Sequence, residues 1–227
     1  MQIVSRRSVA ICLEASRAKS ITSPLSMALP SHKEVGAIRS TGCGPVSTPT
    51  NPTCIYGMTK EAGMRLCQMY RVTHGVHATA GILYNHESVL RRPGFVSRKI
   101  LDGVVRARRG ERAPLVLANL DDRVDWSSAS DVVRAIVAMV RCDRAGDYVV
   151  ASGELHSIRD FVSIAFDEAG LSWEEHVRID GSVAVSRRPA LVGDASLLQR
   201  TTGWSPSVTF EEMVRGLVRS VLHDDGG

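Results

Sequence analysis

Aromatic residues make up only 5% of this 227-residue chain, its five cysteines are scattered, and no apolar run approaches the length of about 18 residues that crosses a bilayer. The cysteines stand at positions 12, 43, 54, 67 and 142, an odd number without a CxxC pair. That scatter suits free thiols in a reducing compartment better than a disulfide framework or a zinc site. No Gly-x-Gly-x-x-Gly follows a strand-like run, and Gly42-Cys43-Gly44-Pro45 fails as a phosphate loop because proline follows and no helix starts there. Charge of one sign is also missing from most of the chain. The net charge is +4, and residues 1–40 hold six Lys/Arg against Glu14 and Glu34, which leaves 22 basic and 22 acidic residues in 41–227. A neutral body gives no electrostatic ground for a nucleic-acid or membrane partner. These absences predict a soluble, cytoplasmic protein without nucleic acid, membrane or metal.

What is present reads as an α/β body. A hydrophobic content of 44% with 23% charged residues is globular. Residues 1–44 are Ser- and Arg-rich, with apolar scraps such as Val9–Leu13 and no sustained period, and take no assigned element. Their composition suits a disordered segment, a transit peptide or a degenerate start, whereas the short apolar core and Glu14 argue against a secretory signal. Thr41 to Ile55, rich in Gly and Pro, reads as a loop, and a helix follows through Tyr70. His77–Tyr84 is a short apolar run without alternation, as expected of a strand buried on both faces of a parallel sheet. Asn85–Gly94 reads as a loop at that strand's C-terminal end, where open α/β sheets bind ligands. Phe95–Arg109 predicts a helix with a basic solvent face, Pro114–Ala118 a strand, and Ser130–Cys142 a helix whose Asp131 suits the dipole. Tyr148–Ala151 predicts a strand and Ser157–Ala169 a helix stopped by Gly170. Short β-prone pieces at His176–Ile179 and Val183–Val185 precede helices at Ala195–Thr202 and Phe210–Leu222.

Tyr56-Gly57-Met58-Thr59-Lys60 opens the first long helix. A phenol and an ammonium four residues apart share one helix face, one turn apart. A phenol is a poor base at neutral pH, and a fixed neighbouring cation favours its phenolate. This pair therefore suits proton transfer at a substrate hydroxyl, with further Lys60 donors available to a ribose.

Further stretches flank it: Thr48–Gly57, Ala80-Gly81-Ile82-Leu83-Tyr84-Asn85-His86-Glu87-Ser88, Asn119–Trp126, Ala151–Phe161 and Gly203-Trp204-Ser205-Pro206. In that order they resemble the GDP-mannose 4,6-dehydratases, which are extended short-chain dehydrogenase/reductases. The resemblance covers residues 45–223. It implies a partial Rossmann-like, doubly wound parallel sheet with a small α+β substrate-binding part, NADP as cofactor, and GDP-mannose or a similar nucleotide sugar as substrate. In that family a hydride leaves the sugar's C4, water leaves from C5–C6, and the hydride returns at C6. By position, Tyr56 and Lys60 match catalytic and cofactor-binding residues, and His86 and Arg91 match cofactor contacts. Asn85, Lys99, Arg123 and Arg188 match substrate contacts, and a guanidinium is a natural partner of a diphosphate because its fork donates two parallel hydrogen bonds. Helix pairing into a homo-oligomer is also common in this class.

The departures are equally specific. The Gly-rich pyrophosphate loop and the Ser/Thr-x-Glu motif for water elimination have no counterpart in residues 1–47, as in an N-terminally truncated relative. Val124 stands where the family has an arginine, Ile55 replaces a proline, and a few residues after Pro189 are missing. A hydride shuttle needs a held nicotinamide, and Tyr56 is no substitute for one. Three readings stay open: the dehydratase itself, a non-catalytic remnant that binds a sugar nucleotide or pairs with a full-length relative, and an epimerase or reductase on another nucleotide sugar. Asn85-His86-Glu87-Ser88 argues against the last.

Overall fold

A computed structural model describes residues 8–14, 52, 55–181 and 190–225. In chain order its elements are β1 (Ser8–Glu14), α1 (Ile55–His74), β2 (His77–Leu83), β3 (Asn85–Glu87), α2 (Val96–Arg108), β4 (Leu115–Leu117), β5 (Arg123–Val124) and β6 (Trp126–Ser128). There follow α3 (Ala129–Arg141), β7 (Asp147–Val150), β8 (His156–Ser157), α4 (Ile158–Glu168), α5 (Trp173–His176), β9 (Val177–Ile179), α6 (Ser196–Thr202) and α7 (Phe210–Asp225). The chain divides into two compact units, the first built from residues up to Asn85, Val133–Ala151 and Gly193–Ser205, the second from His86–Val132, Ser152–Val192 and Pro206 onward.

The first unit centres on β2, which stands between β1 and β7 in a parallel sheet. A strand paired on both edges and covered on its faces needs small or apolar side chains throughout, and His77-Ala-Thr-Ala-Gly-Ile-Leu83 supplies them, all but the first buried. Helix α1 packs Met64 and Cys67 inward, and burial pushes the Cys67 thiol up. Segment 190–195 approaches so closely that a Cβ at Gly193 would lie 2.3 Å from Ala151 Cβ and 3.0 Å from Tyr84 Cε2. Gly193→Ala should therefore cost about 1–3 kcal/mol through overpacking. Urea unfolding checks this, and a loss under roughly 0.5 kcal/mol would mean that the segment simply moves aside.

The second unit has its core where α2, α4 and α7 meet: Ile100, Leu101 and Val104 pack with Phe161, Phe166, Val214 and Val218. Trp126 meets Phe161 edge-on at 5.5 Å and stacks on Phe210 at 5.5 Å, and the His156 ring lies parallel to Phe210 at 3.9 Å. Short strand pairs frame this core: β3 with β6, β4 parallel to β9, and β5 antiparallel to β8. Two buried carboxylates tie distant segments together. Asp125 accepts from the Ser152 backbone N–H and hydroxyl and from the Gly153 N–H, and Asp131 accepts from the Ser207 N–H and hydroxyl and the Val208 N–H. Ser157 and Asp160 form a reciprocal capping box at the start of α4. Burial alone would raise the Asp160 pKa, but the Ser157 N–H and hydroxyl outweigh it and hold the carboxyl below its ordinary range.

Several expectations change. Ser8–Glu14, within the stretch given no element, pairs with β2 over seven positions from Ser8↔His77 to Glu14↔Leu83. A short, unalternating apolar run has no identity until its neighbour is known. The expected loop Asn85–Gly94 begins as β3, because pairing with β6 decides a three-residue strand and no period announces it. His176 closes the short helix α5, so the strand there starts at Val177. Asp131 stands in the first turn of α3 as expected and, in addition, clamps residues 207–208. The expected strand Val183–Val185 lies outside the described residues.

Candidate functional site

In the first turn of α1, Tyr56 is 42% exposed and Lys60 half-buried, and the Lys60 Nζ sits over the Tyr56 ring, 5.1 Å from its centroid. The pair that the spacing predicts is thus in contact, and the ammonium meets the ring face, a cation–π arrangement. Thr59 donates its hydroxyl to the Tyr56 carbonyl at 2.8 Å, which tightens the same turn.

The far half of α1 fixes which side of the helix faces the sheet. Gln68 Nε2 donates to Asp147 Oδ2 at 2.6 Å, Arg71 Nη2 donates to Asp147 Oδ1 at 2.6 Å, and Arg71 Nε donates to the Ala78 carbonyl at 2.9 Å. Asp147 is buried at the start of β7, so one carboxylate joins α1, β2 and β7. Lys60, Cys67 and Arg71 follow one stripe of the helix, and locking Arg71 turns Lys60 toward the same side. Met58, Leu66, Met69 and Val72 form an exposed apolar stripe away from it.

Asn85 and His86 are half-buried at the start of β3, and Glu87 beside them is 5% exposed. The Glu87 carboxylate accepts from Arg91 Nε at 2.8 Å, Arg91 Nη2 at 3.0 Å and the buried Ser97 hydroxyl at 2.8 Å. Arg91 also donates to the His86 carbonyl, and its guanidinium lies 4.4 Å over the Phe95 ring. The structure therefore gathers His86 and Arg91 into one network with Glu87 and Ser97. Lys99 on α2 and Arg123 on β5 are exposed and belong to no part of it. Arg188 lies outside the described residues.

Sequence reasoning missed Glu87, Ser97 and the Asp147–Arg71–Gln68 clamp. Glu87 and Arg91 carried a usable signal, opposite charges four apart, whereas Asp147 and Arg71 are too far apart in sequence for any spacing rule. A pocket of about 480 Å³ opens elsewhere in the second unit, lined by Glu154, His156, Asp160 and Phe210 among others; its lining includes part of the matched stretch Ala151–Phe161 but none of the expected catalytic, cofactor or substrate residues. Among the described residues there is no cluster of His, Cys, Asp and Glu fit for a metal and no helix long and apolar enough to cross a membrane.

Taken separately, each unit offers a donor whose chemistry suits part of a nucleotide. Lys60 offers an ammonium for ribose hydroxyls, and Arg91 offers a guanidinium already held by a buried carboxylate, the group best matched to phosphate.

The GDP-mannose 4,6 dehydratase family model matches residues 8–217, starting at β1 and so ahead of residue 45, where the motif resemblance begins. GDP-mannose 4,6 dehydratase 1 of Arabidopsis thaliana is 38% identical over 176 residues, covering 76% of this chain and 48% of that protein. The GDP-mannose 4,6 dehydratase of Homo sapiens is 34% identical over 192 residues, covering 77% and 52%. The chain thus spans about half the length of the curated relatives it matches. Among solved structures, RMD from Pseudomonas aeruginosa complexed with NADPH superposes with a TM-score of 0.76 at 20% identity over 96% of this chain and 68% of that one. DesIV, a dTDP-glucose 4,6-dehydratase from Streptomyces venezuelae with NAD and TYD bound, gives 0.65 at 22% identity over 84% and 57%. These likenesses establish the α/β, Rossmann-like fold.

Proposed function

The chain belongs to the GDP-mannose 4,6-dehydratase family, and from that premise we propose that it acts on GDP-mannose, converting it to the 4-keto-6-deoxy sugar nucleotide in the cytoplasm. The observation that carries this reading is the contact between Tyr56 and Lys60 inside a family match that runs from β1 to α7. In it Tyr56 takes the proton of the sugar's C4 hydroxyl, and the exposure of its ring leaves room for a substrate. NADP, with Lys60, His86 and Arg91 as its contacts, would supply the hydride acceptor and donor. Asn85, Lys99, Arg123 and Arg188 serve the substrate side.

The sequence carries no Gly-rich pyrophosphate loop, so NADP should bind this chain weakly while GDP-mannose binds measurably. Calorimetry with each ligand, followed by a product assay at saturating NADP, tests both statements. No GDP-mannose binding would sink the functional reading, and a micromolar NADP dissociation constant would reveal a cofactor site that the sequence does not announce. Binding of GDP-mannose without turnover would favour the second reading, a non-catalytic sugar-nucleotide binder, which the missing Ser/Thr-x-Glu motif supports.

The exposed stripe of Met58, Leu66, Met69 and Val72 supports pairing of α1 with the α1 of a second copy. Light scattering should give a dimer or larger. A monomer at micromolar concentration would remove that part of the proposal.

A further inference from the structure

We propose that Glu87 is a positioning residue, whose buried carboxylate fixes the Arg91 guanidinium so that loop 86–97 meets a nucleotide phosphate with its cation already oriented. The inference rests on the reading that Arg91 faces a nucleotide.

A buried carboxylate is unfavourable unless it is paired and its remaining lone pairs are satisfied. Glu87 meets both conditions locally. It takes two bonds from Arg91 and one from the Ser97 hydroxyl, so a strand, a loop and the first turn of a helix converge on one side chain. A plain tie between β3 and α2 would need only the Ser97 bond, which a neutral residue also makes. The bidentate fork does something more, because it sets the plane of the guanidinium.

Three further contacts complete the restraint. The guanidinium lies 4.4 Å over the Phe95 ring, and Arg91 also donates to the His86 carbonyl. The Arg91 backbone N–H donates to the Ser88 carbonyl at 3.1 Å, which closes the turn beneath it. An arginine side chain normally forfeits much of its rotamer freedom on being immobilised. Here that loss falls on folding rather than on binding, which is what preorganisation means for affinity. Arg98 extends the arrangement, donating to the Val89 carbonyl at 3.0 Å and pairing with Asp102 at 2.8 Å, so the loop is held at its middle as well.

The phosphate that Arg91 meets comes from either the dinucleotide or the sugar nucleotide, and the two sources separate experimentally. Calorimetry on the full chain with NADPH and with GDP-mannose, in separate titrations, identifies the arm that binds. In that arm Glu87→Gln and Arg91→Lys should each weaken binding about tenfold, and the double variant should be little worse than either, since both remove the same oriented fork. Glu87→Gln combined with Arg123→Lys should instead be additive in the GDP-mannose arm, which a general loosening of the fold would not produce. Glu87→Asp, which keeps the charge but shortens the reach, serves as a second variant should Glu87→Gln fail to fold, and it too should lose about tenfold. Additive losses in the Glu87/Arg91 pair, or unchanged affinity in folded Glu87→Gln, would overturn the proposal while leaving the functional reading intact. A wild-type chain that binds neither ligand would overturn both.

Discussion

Replacing Asp147 by alanine should destabilise the first unit by about 3–5 kcal/mol, the range for breaking a buried ion pair by removing one partner. The Asp147 side chain is fully buried, and its two oxygens each accept a 2.6 Å bond, from Gln68 and from Arg71. Alanine leaves the Arg71 guanidinium facing a cavity, with only its bond to the Ala78 carbonyl remaining among those given above. Asn at the same position keeps the volume and one acceptor, so it should cost less. Urea unfolding followed through Trp204, which belongs to this unit, together with hydrogen exchange of the β2 amides, would report the loss. A change under about 1 kcal/mol would mean that the pair is solvated in solution and does not anchor α1.

The second large effect concerns chemistry. On the proposed function, Tyr56→Phe should lower GDP-mannose turnover by about 10²–10⁴, the usual contribution of a positioned acid or base, while GDP-mannose affinity changes little. Phenylalanine preserves the ring over which Lys60 sits, so the local packing survives and only the hydroxyl is lost. Lys60→Met should reduce turnover as well, because it removes the cation beside the phenol. Single-turnover measurements at saturating NADP separate the chemical step from binding. Turnover in Tyr56→Phe equal to the wild type would remove Tyr56 from the mechanism.

The elements that could be read from the chain are those whose signal is local. The helix after Ile55, the buried run at His77–Leu83 and the amphipathic helices α2, α3, α4 and α7 all appear within a few residues of their expected bounds. The helices carry their own period, His77–Leu83 stands out as an unbroken apolar run, and Gly170 marks the end of α4, whose start the Ser157–Asp160 capping box fixes in the fold. The elements that escaped were those defined by partners. β1 exists through seven pairings with β2, and β3 through its pairing with β6. The site divides the same way. Tyr56 and Lys60 are neighbours along one helix, so their contact followed from spacing. Of the two buried acids that hold the surrounding frame, Asp147 finds its partners on α1 only once the chain is folded, whereas Glu87 and Arg91, opposite charges four apart, could have been paired from the sequence.

The layout of the first unit also bears on how the protein emerges from the ribosome. β2 pairs with β7 from Ala80↔Asp147 to Leu83↔Val150, and much of the second unit is encoded between them. At roughly 5–20 residues per second, β2 waits on the order of several seconds for its neighbour, an apolar edge in the open. A nascent chain in that interval is a natural client for a holding chaperone. Yield in the cell should then follow the speed of synthesis across α2 to α3 more closely than the stability of the finished fold.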